Sequence, residues 1–93
     1  MNVTARHSSN EGDNGVVIHL HNPTSAVAFF ERAEILSAGD GDEILPIQYD
    51  DNYVTVFPGE TVEIRGVVPP NGPAANWVRV AGYNTSPVTV PIK

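Results

Sequence analysis

His19 and His21 stand two residues apart in a run of alternating apolar residues. On an extended strand both rings would project from one face, and with a third ligand such as His7 they would make the beginnings of a zinc site. With no cysteine and no evident fourth ligand, a solvated or partner-facing pair explains them better. Asp40-Gly41-Asp42-Glu43 and Asp50-Asp51-Asn52 offer the hard oxygens that calcium takes, but neither spells a full calcium loop. Asp and Asn serve turns equally well, because their side chains bond nearby backbone groups. No metal or other cofactor is therefore expected. General acid–base chemistry would need two carboxyl groups facing each other in a cleft. Most of the 11 acidic residues fall in expected turns. Glu31, Glu34 and Glu63 fall in expected strands, where alternation turns them to solvent, and no catalytic residue is assigned.

The elements that would position these groups are mostly strands. Val16, Ile18 and Leu20 share one parity while Val17, His19 and His21 share the other, the mark of a half-buried strand. Similar runs are Val3 to Arg6, Ile44 to Tyr49, Tyr53 to Phe57, Thr61 to Val68, Trp77 to Tyr83 and Val88 to Ile92. Breaks fall at Asp13-Asn14-Gly15, Asn22-Pro23, Gly39 to Asp42, Asp50 to Asn52, Pro58-Gly59 and Pro69 to Pro73, a spacing suited to an antiparallel sandwich. Pro58 presets φ for the first central position of a tight turn and Gly59 accepts positive φ at the second, so two strands are expected to meet there. Ala26, Phe29, Phe30, Ala33 and Leu36 sit at helical spacing instead. The segment Ala28 to Ser37 is nonetheless read as a strand, because a lone helix here would leave the second sheet without its centre.

The 93 residues suffice for one core, and 41% hydrophobic against 17% charged residues does not suggest disorder. A formal charge of -6 repels phosphate backbones, so nucleic acid is an unsuitable partner. Apolar runs of no more than a handful of residues exclude a helical membrane span. The expected fold is all-β, an immunoglobulin-like antiparallel β-sandwich of about seven strands occupying residues 1–93 as a single domain. Met1 reads as an added start and the chain as a domain trimmed from a larger protein, monomeric in isolation.

Three stretches carry a family likeness: Val17 to Ser25 followed by Ala28-Phe29-Phe30; Tyr49-Asp50-Asp51-Asn52-Tyr53 running on to Phe57-Pro58-Gly59-Glu60; and Trp77 to Asn84. Together they resemble the C-terminal immunoglobulin-like domain of exo-β-D-glucosaminidases and related β-mannosidase-like enzymes of glycoside hydrolase family 2. Members of that family often have Ser-Asp-Asn-Tyr after an aromatic residue, where this chain has Asp50-Asp51-Asn52-Tyr53. The resemblance implies a non-catalytic accessory domain of a secreted, extracellular enzyme, packed against the parent's other domains, with the catalytic glutamates on a separate barrel. It also raises the alternative of a module binding chitosan or mannan. Such a module would need exposed, coplanar rings among Trp77, Tyr49, Tyr53 and Tyr83. Trp77 and Tyr83 flank a strand whose Val78 and Val80 share a parity, which places them rather in the core or at a corner. The residues expected to matter for structure or interdomain contact are Asp51, Asn52, Tyr53, Pro58, Gly59, Trp77, Tyr83 and Asn84.

Overall fold

Period-two burial begins at the first residues of the chain, where Val3 and Ala5 are buried while Thr4 and Arg6 are exposed. In the computed structural model, which describes residues 1–8, 15–38, 41–44, 47–69 and 72–93, this alternation builds eight strands and no helix among the described residues. They are β1 (Asn2–Ser8), β2 (Gly15–His21), β3 (Ala28–Leu36), β4 (Gln48–Tyr49), β5 (Val54–Val56), β6 (Thr61–Val67), β7 (Trp77–Ala81) and β8 (Val88–Pro91). Asp13, Asn14, Gly39, Asp40, Pro70 and Asn71, singled out above as turn residues, lie outside the described residues.

The strands form two antiparallel four-stranded sheets, ordered β1-β2-β6-β4 and β5-β3-β7-β8. Register sets the faces. Ile18 stands opposite both Ala5 and Ile64, and Ala33 opposite Val80, so these side chains meet between the sheets. Ile18, Leu20, Ile35, Ile64 and Val78 are completely buried there. Each such side chain contributes about 1.5–3 kcal/mol relative to exposure, which makes this layer the main source of stability.

β3 is the centre of the second sheet, as its strand reading required, and its helical-looking spacing has a specific cause. Pairing with β5 runs from Ala28↔Val56 to Glu31↔Val54, with a register shift between them. The extra residue is a β-bulge, and it resets the parity of everything after it.

Two other expectations are revised. Among the described residues of the run Ile44 to Tyr49, strand pairing is confined to Gln48–Tyr49, with Glu43 just before the run forming an isolated bridge to Leu36. The Pro58-Gly59 turn forms, with Gly59 at φ 77° and Glu60 N–H donating to Phe57 O at 3.0 Å. The strands on either side of it, β5 and β6, belong to opposite sheets and do not pair, so the turn is a passage across the sandwich. On another edge the sheets are sewn together by the chain's end. Ile92 bridges Ala5 in parallel, Lys93 N–H donates to Ala5 O and His7 N–H to Lys93 O, both at 3.0 Å.

Candidate functional site

Three polar side chains stand in for missing strand residues, and each belongs to a stretch that the sequence marked. The chain crosses from the first sheet to the second between Tyr49 and Tyr53. Asp50 continues the β4–β6 ladder past its last backbone pair, its N–H donating to Arg65 O at 2.9 Å and its Oδ1 accepting Arg65 N–H at 2.7 Å. Asn52 does the same on the far side. Its Oδ1 accepts Ala33 N–H at 2.8 Å and its Nδ2 donates to Ala33 O at 3.1 Å, so the side-chain amide acts as a peptide group beside β3. Asp51 is exposed, and its Oδ1 accepts Asn52 N–H at 2.9 Å. Tyr49 completes the edge, its hydroxyl accepting Ile35 N–H at 3.2 Å and donating to Glu43 at 2.8 Å. Burial and then the Glu43 carboxylate push that hydroxyl well above its ordinary pKa. The hydroxyl anchor of this sandwich is thus Tyr49, not Tyr83.

Asn84 repeats the device on the opposite edge of β3, with Oδ1 accepting Phe29 N–H at 2.9 Å and Nδ2 donating to Val27 O at 2.8 Å. Asn22, which sequence reading treated only as a turn residue, is buried. Its Nδ2 donates to Ala26 O at 2.7 Å and Val56 O at 3.0 Å, and its Oδ1 accepts the N–H and hydroxyl of Thr24. Because its own N–H and C=O meet Glu60 O and Gly59 N–H, this one residue ties both sheets to the Pro58-Gly59 turn.

The bulge has the largest local consequence. Phe30 adopts φ 55°, a left-handed conformation that costs a bulky L-residue roughly 1–3 kcal/mol. Phe29 and Phe30 are both exposed as a result, their rings 6.1 Å apart, and Glu31 turns inward to 1% exposure. This overturns the expectation that Glu31 faces solvent: counted from the buried Ala28, strict alternation would turn residue 31 outward, and the extra residue gives it instead the inward parity of Ala33 and Ile35. The Glu31 carboxylate accepts the Thr85 hydroxyl at 2.7 Å through Oε2, while Oε1 is buried with no hydrogen-bond partner among the described residues. Room for it exists because position 82 is glycine, where an added Cβ would collide with the carboxylate and lie 2.8 Å from Phe29 O.

Around the bulge the surface is aromatic. Phe29, Phe30, Tyr53, Phe57 and Tyr83 are between 43% and 83% exposed. Tyr83 N–H donates to Phe29 O at 2.9 Å, Phe57 follows the Val56 that pairs with Ala28, and the Arg32 guanidinium lies 5.9 Å from the Tyr53 ring centroid. Tyr53 also has positive φ, at 56°. The assignment of Tyr83 to core or corner is therefore corrected: its ring is 83% exposed because the strand pairing has ended at Ala81. Trp77 is half-buried, on the face of β7 opposite the core-facing Val78 and Val80, so it too lies outside the core.

Beyond the rings the same face is a charge ladder. Arg32 bonds Glu34 at 2.9 Å and also Glu43, and Arg79 bonds both Glu34 oxygens at 3.2 Å. Burial alone would raise the Glu34 carboxyl, but hydrogen bonds from Arg79 and Arg32 outweigh it and hold the group below its ordinary value. Partial desolvation would lower the pKa of Arg32, but its hydrogen bonds to Glu43 and then Glu34 outweigh it and raise the group above its ordinary value.

The other chemical candidates are engaged locally. His19 meets Glu63 at 2.9 Å and His21 meets the Thr61 hydroxyl at 2.9 Å, both across the β2–β6 pair, while His7 is exposed on β1. Asp42 is exposed and Glu43 is held by Arg32 and Tyr49. Among the described residues no three His, Asp or Glu side chains are grouped so as to hold a metal ion.

Comparison with known proteins gives a consistent set of relatives. A family model described as the exo-beta-D-glucosaminidase Ig-fold domain matches residues 1–85. An exo-beta-D-glucosaminidase of Arthroderma benhamiae is 39% identical over 67 residues, 72% of this chain and 7% of that protein. One from Amycolatopsis orientalis is 30% identical over 73 residues, 69% of this chain and 6% of that protein. The crystal structure of Amycolatopsis orientalis exo-chitosanase CsxA superposes with a TM-score of 0.80 at 25% identity, over 97% of this chain and 11% of that one.

Proposed function

Because this chain belongs to the exo-β-D-glucosaminidase Ig-fold domain family, we propose that it is the non-catalytic accessory domain of a glycoside hydrolase family 2 enzyme, and that it works by packing against that enzyme's other domains. The observation that carries this reading is one of proportion. Nearly the whole chain, 97%, superposes on a part amounting to 11% of an exo-chitosanase. The carboxylates support a structural role as well. Glu31 is sealed between Gly82 and Thr85, Glu34 and Glu43 are neutralised by arginines, and Glu63 is bound by Arg65 and His19. Retaining glycoside hydrolysis instead uses two carboxyl groups about 5 Å apart across an open cleft. The parent's substrate is then a β-linked glucosamine polymer, and its place outside the cell follows from the size of such substrates.

The exposed rings favour one competing reading, a platform on which sugars stack. Titration of the isotopically labelled chain with glucosamine and mannose oligosaccharides, followed through backbone amide shifts to millimolar ligand, separates the two. An accessory domain leaves the spectrum dispersed and unmoved. Saturable shifts centred on Tyr53 or Tyr83 would make this a carbohydrate-binding module.

A further inference from the structure

The exposed rings are not scattered over the surface. Phe29 and Phe30 come from the bulge, Tyr83 is hydrogen-bonded through its backbone to Phe29, and Tyr53 lies over Arg32, two residues along β3. Presenting two adjacent phenylalanines on one side of a strand is achieved here at a double cost, the left-handed backbone of Phe30 and the buried, half-partnered carboxylate of Glu31. Neither feature adds to the core of the domain, and strain retained at one place on a fold points to use at that place. Bulges commonly re-aim side chains in this way.

We infer that this end of the second sheet, carrying Phe29, Phe30, Tyr53 and Tyr83, is the face by which the domain docks onto an adjoining domain of the same polypeptide; the inference rests on the accessory-domain reading above. Two observations choose the occupant. Relatives carry about nine-tenths of their length outside the region this chain matches, so most of the protein available for contact is elsewhere in the same chain. Met1 lines a cleft together with Val27, Ala28, Asn84 and Thr85, so β1 starts at the end of the sandwich that carries the rings. The amide and guanidinium groups among the rings are already engaged: the Asn84 and Asn52 amides bond backbone, and Arg32 bonds Glu34 and Glu43. A sugar site needs a few such groups aimed at ligand. What this face presents is apolar area with an ion-paired rim, complementary to an apolar patch on a neighbouring domain.

The test pairs Phe29→Ser with Tyr83→Ser in both the isolated chain and the full-length enzyme, with Thr4→Arg and His21→Arg on the outer face of the first sheet as the comparison. Exposed-ring variants should move the unfolding midpoint of the isolated chain by no more than about 3 °C. In the full-length enzyme they should release the domain, read as tenfold or faster proteolysis at its boundary, while the first-sheet variants leave cleavage unchanged. Release by the first-sheet variants alone would overturn this choice of face and leave the accessory reading standing. Release by neither pair would overturn both. Oligosaccharide-induced shifts at the rings would replace docking with sugar binding.

Discussion

At position 30 the ordinary ranking of residues should be reversed. Glycine in a strand interior is less stable than alanine by roughly 0.5–1 kcal/mol, since it loses more freedom on folding. Phe30, however, sits at φ 55°, where a Cβ costs roughly 1–2 kcal/mol. Phe30→Gly and Phe30→Ala both remove the ring, so their difference isolates the backbone. The glycine variant should be the more stable by about 1 kcal/mol, measured as the difference in urea unfolding free energy. Alanine ahead of glycine would mean that the backbone relaxes and holds no strain. Gly82 makes the complementary case, one of space. Gly82→Ala puts a methyl group against the Glu31 carboxylate and 2.8 Å from Phe29 O, and should destabilise by about 1–3 kcal/mol. Adding Glu31→Ala removes the first obstacle but not the backbone one, so it should recover only part of the loss. Strict additivity of the two changes would show that the contact between them is not the cause.

At the scale of elements, the crossover from β4 to β5 depends on side chains that complete ladders. Asn52→Ala leaves both backbone groups of the fully buried Ala33 without a partner and should cost about 2–3 kcal/mol, with faster hydrogen exchange at Ala33. Asn52→Asp keeps the acceptor but sets a carboxylate against the Ala33 carbonyl, so it should do no better than alanine. Rescue by aspartate would mean that only the Ala33 N–H matters. This element also marks how far the sequence could be read. Alternation and turn residues were enough for the strands and the two-sheet sandwich, because burial period and strand geometry share the number two. The Asp50-Asp51-Asn52-Tyr53 stretch was recognisable as specified, but that its side chains imitate peptide groups depends on where two distant strands run. The bulge was visible only as an apparent helical period at Phe29 and Phe30. A single inserted residue shifts parity, and so Glu31 was assigned to solvent and the exposed rings to no common face.

For the molecule as a whole, acid should act through the arginine-bridged carboxylates. Lowering the pH first reduces a formal charge of -6 and with it the self-repulsion, which by itself would stabilise the fold. Against this stands Glu34, whose carboxyl is held below its ordinary 4.5 although burial would raise it, because Arg79 and Arg32 bond the ionised form. Glu63 is shifted the same way, by Arg65 and then His19. A carboxyl that ionises more readily folded than unfolded contributes stability that is fully present above 4.5 and is lost as the pH falls through its lower folded value. Stability should therefore change little between neutrality and about pH 5 and decline below about 4.5, where the unfolded chain takes up protons first. Glu34→Gln should lower stability at pH 7 by about 1 kcal/mol, a modest figure because the bridge is partly solvated, and should flatten the acid decline. Urea midpoints measured from pH 7 to pH 3 on both proteins decide the matter. Curves that stay parallel throughout would mean that the ladder on the second sheet organises its surface without holding the two strands together.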